Sequence, residues 1–187
     1  MEKSLSEMTL EELWELFPVI LCEHREDWGG WYTEEEKRIR EFLPVAGVRI
    51  SHIGSTAVHG IWAKPIIDLL LEILETVSME QIKCILTDNG YVCMSESDGR
   101  KSFNRGYTVK GFAERVFHLH LRYCGDNSEL YFRDYLNDNS HAAGEYEALK
   151  LSLWKKYRHN RDGYTDAKSE FVKKYTKKAK LLYGDRY

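Results

Sequence analysis

Nine consecutive residues, Ile66 to Leu74, carry seven aliphatic side chains and two acids, Asp68 and Glu72. A run this short and this apolar fits a strand covered on both faces, so the chain must build a sheet with other elements packed on either side. Pro65 stands at its start, where the missing N–H does least harm. A carboxylate in such a run costs free energy unless it is paired or bound to a metal, which makes Asp68 the first candidate for chemistry. Upstream, Val48 to Ile53 reads as a second strand that ends in the small-residue turn Gly54-Ser55-Thr56. Glycine lets backbone N–H groups come close to a ligand and the two hydroxyls add donors, so such a turn can cradle phosphate oxygens. His59, Gly60 and Lys64 fall in the connection between the two strands.

Around this centre the pattern alternates between helix and strand. Thr9-Leu10-Glu11-Glu12 is a capping box opening a short helix that Pro18 ends. Val19 to Cys22 fits an edge strand. A helix runs from near Trp28 to Leu43 and is closed by Pro44; Thr33-Glu34-Glu35-Glu36 is either a second capping box or part of that helix. Ser78 caps a helix that Asn89-Gly90 terminates. Tyr91 to Met94 is a short strand, Ser95 to Arg100 a polar loop, and Lys101 to Val109 a strand with a bend at Asn104-Arg105-Gly106. Gly111-Phe112-Ala113 turns the chain into Val116 to Tyr123. There Phe117, Leu119, Leu121 and Tyr123 face one way and His118, His120 and Arg122 the other. From Ser128 the periodicity is helical: Leu130 to Leu136, Ala142 to Tyr157, then, after a break at Gly163, Tyr164 to Tyr183. The expected class is α+β or α/β, a mixed sheet with helices before, between and after its strands and a helical C-terminal segment. No linker rich in Pro, Gly or Ser divides it, so we expect one domain over 1–187, its sheet part at about 19–125 and its helical part at about 128–183.

Composition narrows the function. The 187 residues carry a net charge of −3, and this balance gives no overall basic field of the kind a nucleic-acid binder needs. Cys22, Cys84, Cys93 and Cys124 are scattered and contain no Cys-x-x-Cys pair, which argues against a zinc ribbon or a disulfide framework. No apolar run reaches membrane-spanning length and the N-terminus lacks a signal-peptide core, so the reading is a soluble cytoplasmic protein with no membrane partner. Its oligomeric state is open.

Each candidate residue has a plain alternative. A Gly-Ser turn after a strand is often only a turn, but Asp68, on what should be the neighbouring strand, pairs it with a carboxylate. That combination suits phosphoryl chemistry, in which a metal bridges phosphate oxygens. Asp68 could instead make a structural salt bridge to Lys64 or Arg122. His118 and His120 are either hydrogen-bonded members of a polar sheet face or metal ligands. Lys64 and Arg105, each beside a Gly-containing turn, could clamp a polyphosphate or simply face solvent. Tyr164 and Lys168, four apart on a helix, pack against the body or close over the site. The lysines at 173, 174, 177 and 178 read most simply as a solvated face.

Residues His52 to Thr56, Gly60 and Ala63-Lys64-Pro65-Ile66-Ile67-Asp68 resemble the GrpB-like family, which is placed within the nucleotidyltransferase superfamily. The resemblance extends through Asn104 to Thr108, Val116 to Leu121, Tyr131 to Leu136 and Tyr164 to Lys168, from about Trp28 onward. It implies a nucleotidyltransferase-like sheet and a Gly-Ser turn followed by two acids, one residue apart, that hold magnesium. The first acid maps onto Asp68, the second onto Leu70, which is no ligand. Many members also have proline where this chain has His59.

Residues two apart on a strand lie roughly 6.6 Å apart on one face, whereas Asp68 and Glu72 lie about 13 Å apart. Magnesium wants oxygens at about 2.1 Å, so Glu72 could serve only at the rim of the site, or if the strand bends. Ligands from an adjacent strand, about 4.8 Å away, are the alternative, and His118 and His120 qualify. The expected cofactor is a divalent metal, magnesium or manganese, or zinc if the histidines ligate. The expected site is therefore Asp68 and Glu72 for catalysis, with Asp68, His118 and His120 for metal. Gly54, Ser55, Thr56, Lys64 and Arg105 would hold a nucleotide or phosphorylated small molecule. The reaction that follows is nucleotidyl transfer, with a non-catalytic nucleotide sensor or a metal-dependent hydrolase as alternatives.

Overall fold

The computed structural model describes residues 3–43 and 45–187. The short helix α1 (Leu10–Leu16) is opened by the expected capping box, Thr9 accepting from the Glu12 N–H and Glu12 accepting from the Thr9 N–H. Helix α2 (Trp28–Phe42) begins behind Asp27, so Thr33 to Glu36 lie within it; its expected stop at Pro44 lies outside the described residues. The strands are β1 (Arg49–Ile53), β2 (Ile66–Ile73), β3 (Val92–Ser97), β4 (Arg100–Thr108) and β5 (Gly111–Tyr123). Between β2 and β3 lies α3 (Met79–Asp88), capped by Ser78. After β5 come α4 (Ser128–Asp138), α5 (Ser140–Lys156), α6 (Arg161–Asp166) and α7 (Ser169–Tyr183).

The strands form one mixed sheet in the order β1-β2-β5-β4-β3. The β2–β5 pair is parallel, and β1–β2, β3–β4 and β4–β5 are antiparallel. The side chains of β2 alternate between two environments. Ile67, Leu69, Leu71 and Ile73 enter the main core with Trp28, Ile39, Ile82, Leu86, Phe103 and Leu119, beneath α2 and α3. Asp68, Leu70 and Glu72 point to the other face, where Leu70 packs with Ile53 and Leu130. Both faces are thus covered, as the apolar run requires, but the helices on the second face leave a cleft over Asp68.

Several elements differ from the sequence reading. Ser95 to Arg100 is not a loop: β3 and β4 form a hairpin turning at Asp98-Gly99, its polar strands held by the Lys101–Glu96 ion pair (2.6 Å). An edge strand exposed to water needs no apolar run, and the polarity hid it. The next turn falls at Val109-Lys110, with Gly111-Phe112-Ala113 already inside β5. The bend in β4 is real, a register shift between Arg105 and Tyr107. Val19 to Cys22 makes only the bridge Cys22–Ala63. Val19 is tied to the C-terminal segment instead, its N–H donating to the Arg158 carbonyl just after α5 and its carbonyl accepting from Trp154 Nε1 on α5. Gly163 does not break a helix. It lies within α6, where a Cβ would come 2.8 Å from the Tyr157 ring, and the interruptions fall on either side of it, at Tyr157 to Asn160 and at Ala167 and Lys168. None of the helices is long and apolar enough to cross a membrane, among the described residues.

Candidate functional site

The parallel β2–β5 pairing aligns Asp68 with His118 and Leu70 with His120. His118 Nδ1 lies 3.2 Å from Asp68 Oδ1, and His120 Nε2 lies 3.8 Å from the same oxygen. The other nitrogen of His118, Nε2, lies 2.8 Å from the Tyr107 hydroxyl, which accepts a hydrogen bond from Arg161 Nη2 at 2.8 Å. Since Arg161 can only donate, the simplest arrangement has Tyr107 donating to Nε2 and the neutral His118 ring donating its Nδ1–H to Asp68. Burial holds His118 below its usual pKa, in keeping with a neutral ring. Burial would raise the Asp68 pKa, but hydrogen bonding by the imidazoles, His118 first, outweighs it and leaves the carboxylate ionised.

Gly54 closes β1 against this carboxylate. Its φ is +73°, and a Cβ there would sit 2.2 Å from Asp68 Oδ2. The position demands glycine twice, for its backbone conformation and for the close approach of Asp68. A single 3₁₀ turn, Ser55–Ala57, follows.

Opposite Asp68 the wall of the cleft is basic. Lys64 enters from the connection before β2, Arg161 and Lys168 from the α6–α7 region. The ammonium groups of Lys64 and Lys168 lie 5.5 and 4.3 Å from the centre of the buried Tyr164 ring. Among the described residues none of the three makes an ion pair. Burial, then the neighbouring Arg161 charge, lowers Lys64 to about 8. Burial, then Lys64, lowers Lys168 to about 7; in both cases Asp68 works in the opposite direction. Lys150 is lowered to about 7 by burial and donates to the Trp62 carbonyl. The cleft measures about 1100 Å³, and Lys173, Lys177 and Lys180 on α7 continue its basic wall outward.

Of the expected site residues, the structure gathers Gly54, Ser55, Lys64, Asp68, His118 and His120 around this cleft. It does not bring the others to it in usable form. The Thr56 hydroxyl is buried and engaged by the Ile66 carbonyl and His52 Nε2, so it braces the turn instead of facing a phosphate. Arg105 lies on the opposite face of the sheet, paired with Glu35 and stacked on Phe117. Glu72 is fully buried and held by Arg49 (2.5 and 2.7 Å) and Asn127 (3.1 Å), which removes it from catalysis and from the rim. Asp68 pairs with neither Lys64 nor Arg122; the latter sits opposite Glu72 in register and donates to the Lys101 and Leu121 carbonyls.

The donor set does not fit the expected metal. Among the described residues no group of three or more His, Cys, Asp and Glu side chains is arranged to hold an ion. The residue two beyond Asp68 is Leu70, packed in apolar contact, and both nitrogens of His118 are engaged. Sequence reasoning missed Arg161, Tyr107 and Lys150. Arg161 had a visible sign, the Asn160 N-cap, which the misplaced break at Gly163 concealed.

The family described as GrpB protein matches residues 18–178. The Glutamate-rich protein GrpB of Alkalihalophilus pseudofirmus is 34% identical over 160 residues, 82% of this chain and 91% of that protein. The crystal structure of conserved protein GrpB from Enterococcus faecalis superposes with a TM-score of 0.75 at 29% identity, over 88% of this chain and 99% of that one. The Cid1 poly(U) polymerase with bound MgGTP gives 0.49 at 10% identity, over 77% of this chain and 45% of that one. The chain belongs to the GrpB protein family.

Proposed function

We propose that the cleft over Asp68 binds a nucleotide or another phosphorylated small molecule, and that lysine and arginine side chains meet its phosphates where a metal ion would otherwise do so. The observation that carries this reading is the set Lys64, Lys168 and Arg161, three basic groups turned into one cleft and left without an ion pair among the described residues. Burying cationic groups together is unfavourable, and an anion that enters the cleft relieves that cost. Gly54 and Ser55 line the same cleft, and a glycine turn of this kind can present backbone N–H groups to phosphate oxygens. Asp68, fixed by His118 and His120, is the counter-charge that favours the protonated lysines. The resemblance of the Gly54–Asp68 stretch to nucleotidyltransferases makes a nucleotide the first ligand to try. The donor arrangement offers no comparable support for metal-dependent transfer or hydrolysis.

Thermal melting in EDTA with ATP, GTP, CTP or UTP tests it. A nucleotide at a hundred times its Kd should stabilise the fold by about 2.7 kcal/mol, a shift of roughly 5–10 °C for a chain of this size. Lys64→Met and Lys168→Met should each abolish most of the shift. A shift that appears only with magnesium, manganese or zinc contradicts the proposal.

A further inference from the structure

Helix α1 is a seven-residue element with no buried residue. A helix so short is unstable by itself. It is held by its capping box, by a Lys3–Glu12 ion pair (2.6 Å) and by Glu15 against His159 (3.3 Å). Its C-terminal anchor is Phe17, buried against the rings of Tyr107 and Phe112 at 4.7 and 5.1 Å. Tyr107 is the residue whose hydroxyl joins Arg161 to His118, so the anchor fixes α1 beside the site.

Leu10, Leu13 and Trp14 stand at i, i+3 and i+4, one face of this helix, and all three line the cleft. The chain buries most of its large apolar side chains, yet Leu10 remains half exposed and Trp14 partly so. The cleft therefore has two chemically different walls, one of lysines and an arginine without ion pairs among the described residues and one of aliphatic and indole surface. A bare polyphosphate uses only the first wall. A ligand with phosphates at one end and a flat apolar body at the other uses both. Residues 10–16 also precede the stretch matched by the family.

We propose that α1 is the base-recognition element of this cleft, and that a nucleotide whose phosphates lie against Lys64, Lys168 and Arg161 stacks its base on Trp14. The inference rests on the phosphate-binding reading above. Base–aromatic stacking tolerates all four bases because each has a π face, so α1 selects for the presence of a base more than for its identity.

Isothermal titration of ATP and of inorganic tripolyphosphate, in EDTA, tests this in the full chain, in Trp14→Ala and in Trp14→Phe. The intact protein should bind ATP more tightly than tripolyphosphate. Trp14→Ala should weaken ATP by roughly 5- to 150-fold, the range for losing one stacked base, and leave tripolyphosphate within about twofold. Trp14→Phe should retain most of the ATP affinity. Trp14 is not buried, and an unchanged melting temperature of the free variants will show that the fold is intact. If Trp14→Ala leaves ATP affinity unchanged while tripolyphosphate still binds, α1 covers some other occupant, such as a second copy of the chain, and the proposal is wrong although the phosphate reading survives. If neither compound binds the intact protein, both fall.

Discussion

Gly54 is the residue on which the geometry of the cleft turns. Its positive φ and its contact with Asp68 act together, because a side chain there would push the carboxylate off the histidines while straining its own backbone. We expect Gly54→Ala to cost at least about 1–3 kcal/mol, the range for one residue held in a poorly populated conformation, read from the midpoint of urea unfolding. It should also remove the nucleotide-dependent thermal shift. An alanine variant with an unchanged midpoint would contradict this description of the turn. Gly54 was legible in the sequence as a turn residue, and Asp68 as an acid in an apolar run. The histidines beside the carboxylate, His118 and His120, were legible as candidates from the neighbouring strand, but the register that sets His118 opposite Asp68 was not, because local sequence does not print it. Arg105 and Thr56 mislead for a related reason. Each stands beside a glycine turn in the sequence, but strand alternation sets Arg105 opposite Phe117 on the face that carries Glu35, and the Thr56 hydroxyl is taken up by the Ile66 carbonyl and His52.

At the scale of elements, β2 joins two unlike tasks on one face. Asp68 opens onto the cleft, Leu70 packs against Ile53 and Leu130, and beyond that apolar contact Glu72 is clamped by Arg49 and Asn127. Glu72 is therefore structural. Glu72→Ala should cost about 2–4 kcal/mol, somewhat below the full value for breaking a buried pair because Arg49 is 41% exposed. The nucleotide-dependent shift measured on the folded fraction should persist; its disappearance would return Glu72 to the site. Strands with apolar runs and helices with caps were readable from sequence, as β2, α1 and α3 show. Elements whose backbone is satisfied by distant partners were not. Val19 to Cys22 looks like a strand and is tied to α5 and the residues after it. Ser95 to Arg100 looks like a loop and is half a hairpin.

For the whole molecule, the net charge of −3 hides a local imbalance. Acids are spread over the surface while Lys64, Lys168 and Arg161 face one cleft, so a count of charges argues against polyanions where the placement argues for one. The GrpB family relation carries the fold, and the ligand has to be argued from the site. Binding through these lysines depends on pH in a definite direction. Lys64 and Lys168, lowered to about 8 and about 7, are partly neutral near pH 8, and an anion favours their protonated forms. Binding should then take up protons, and affinity should fall as pH rises through 7 to 9. The most direct measurement is calorimetric titration of ATP in EDTA at pH 8, in two buffers of different ionisation enthalpy. Binding without metal, with net proton uptake that Lys168→Met diminishes, is the expected result. Binding that requires a divalent metal, or that takes up no protons at pH 8, would contradict a cleft in which lysines stand in for the ion.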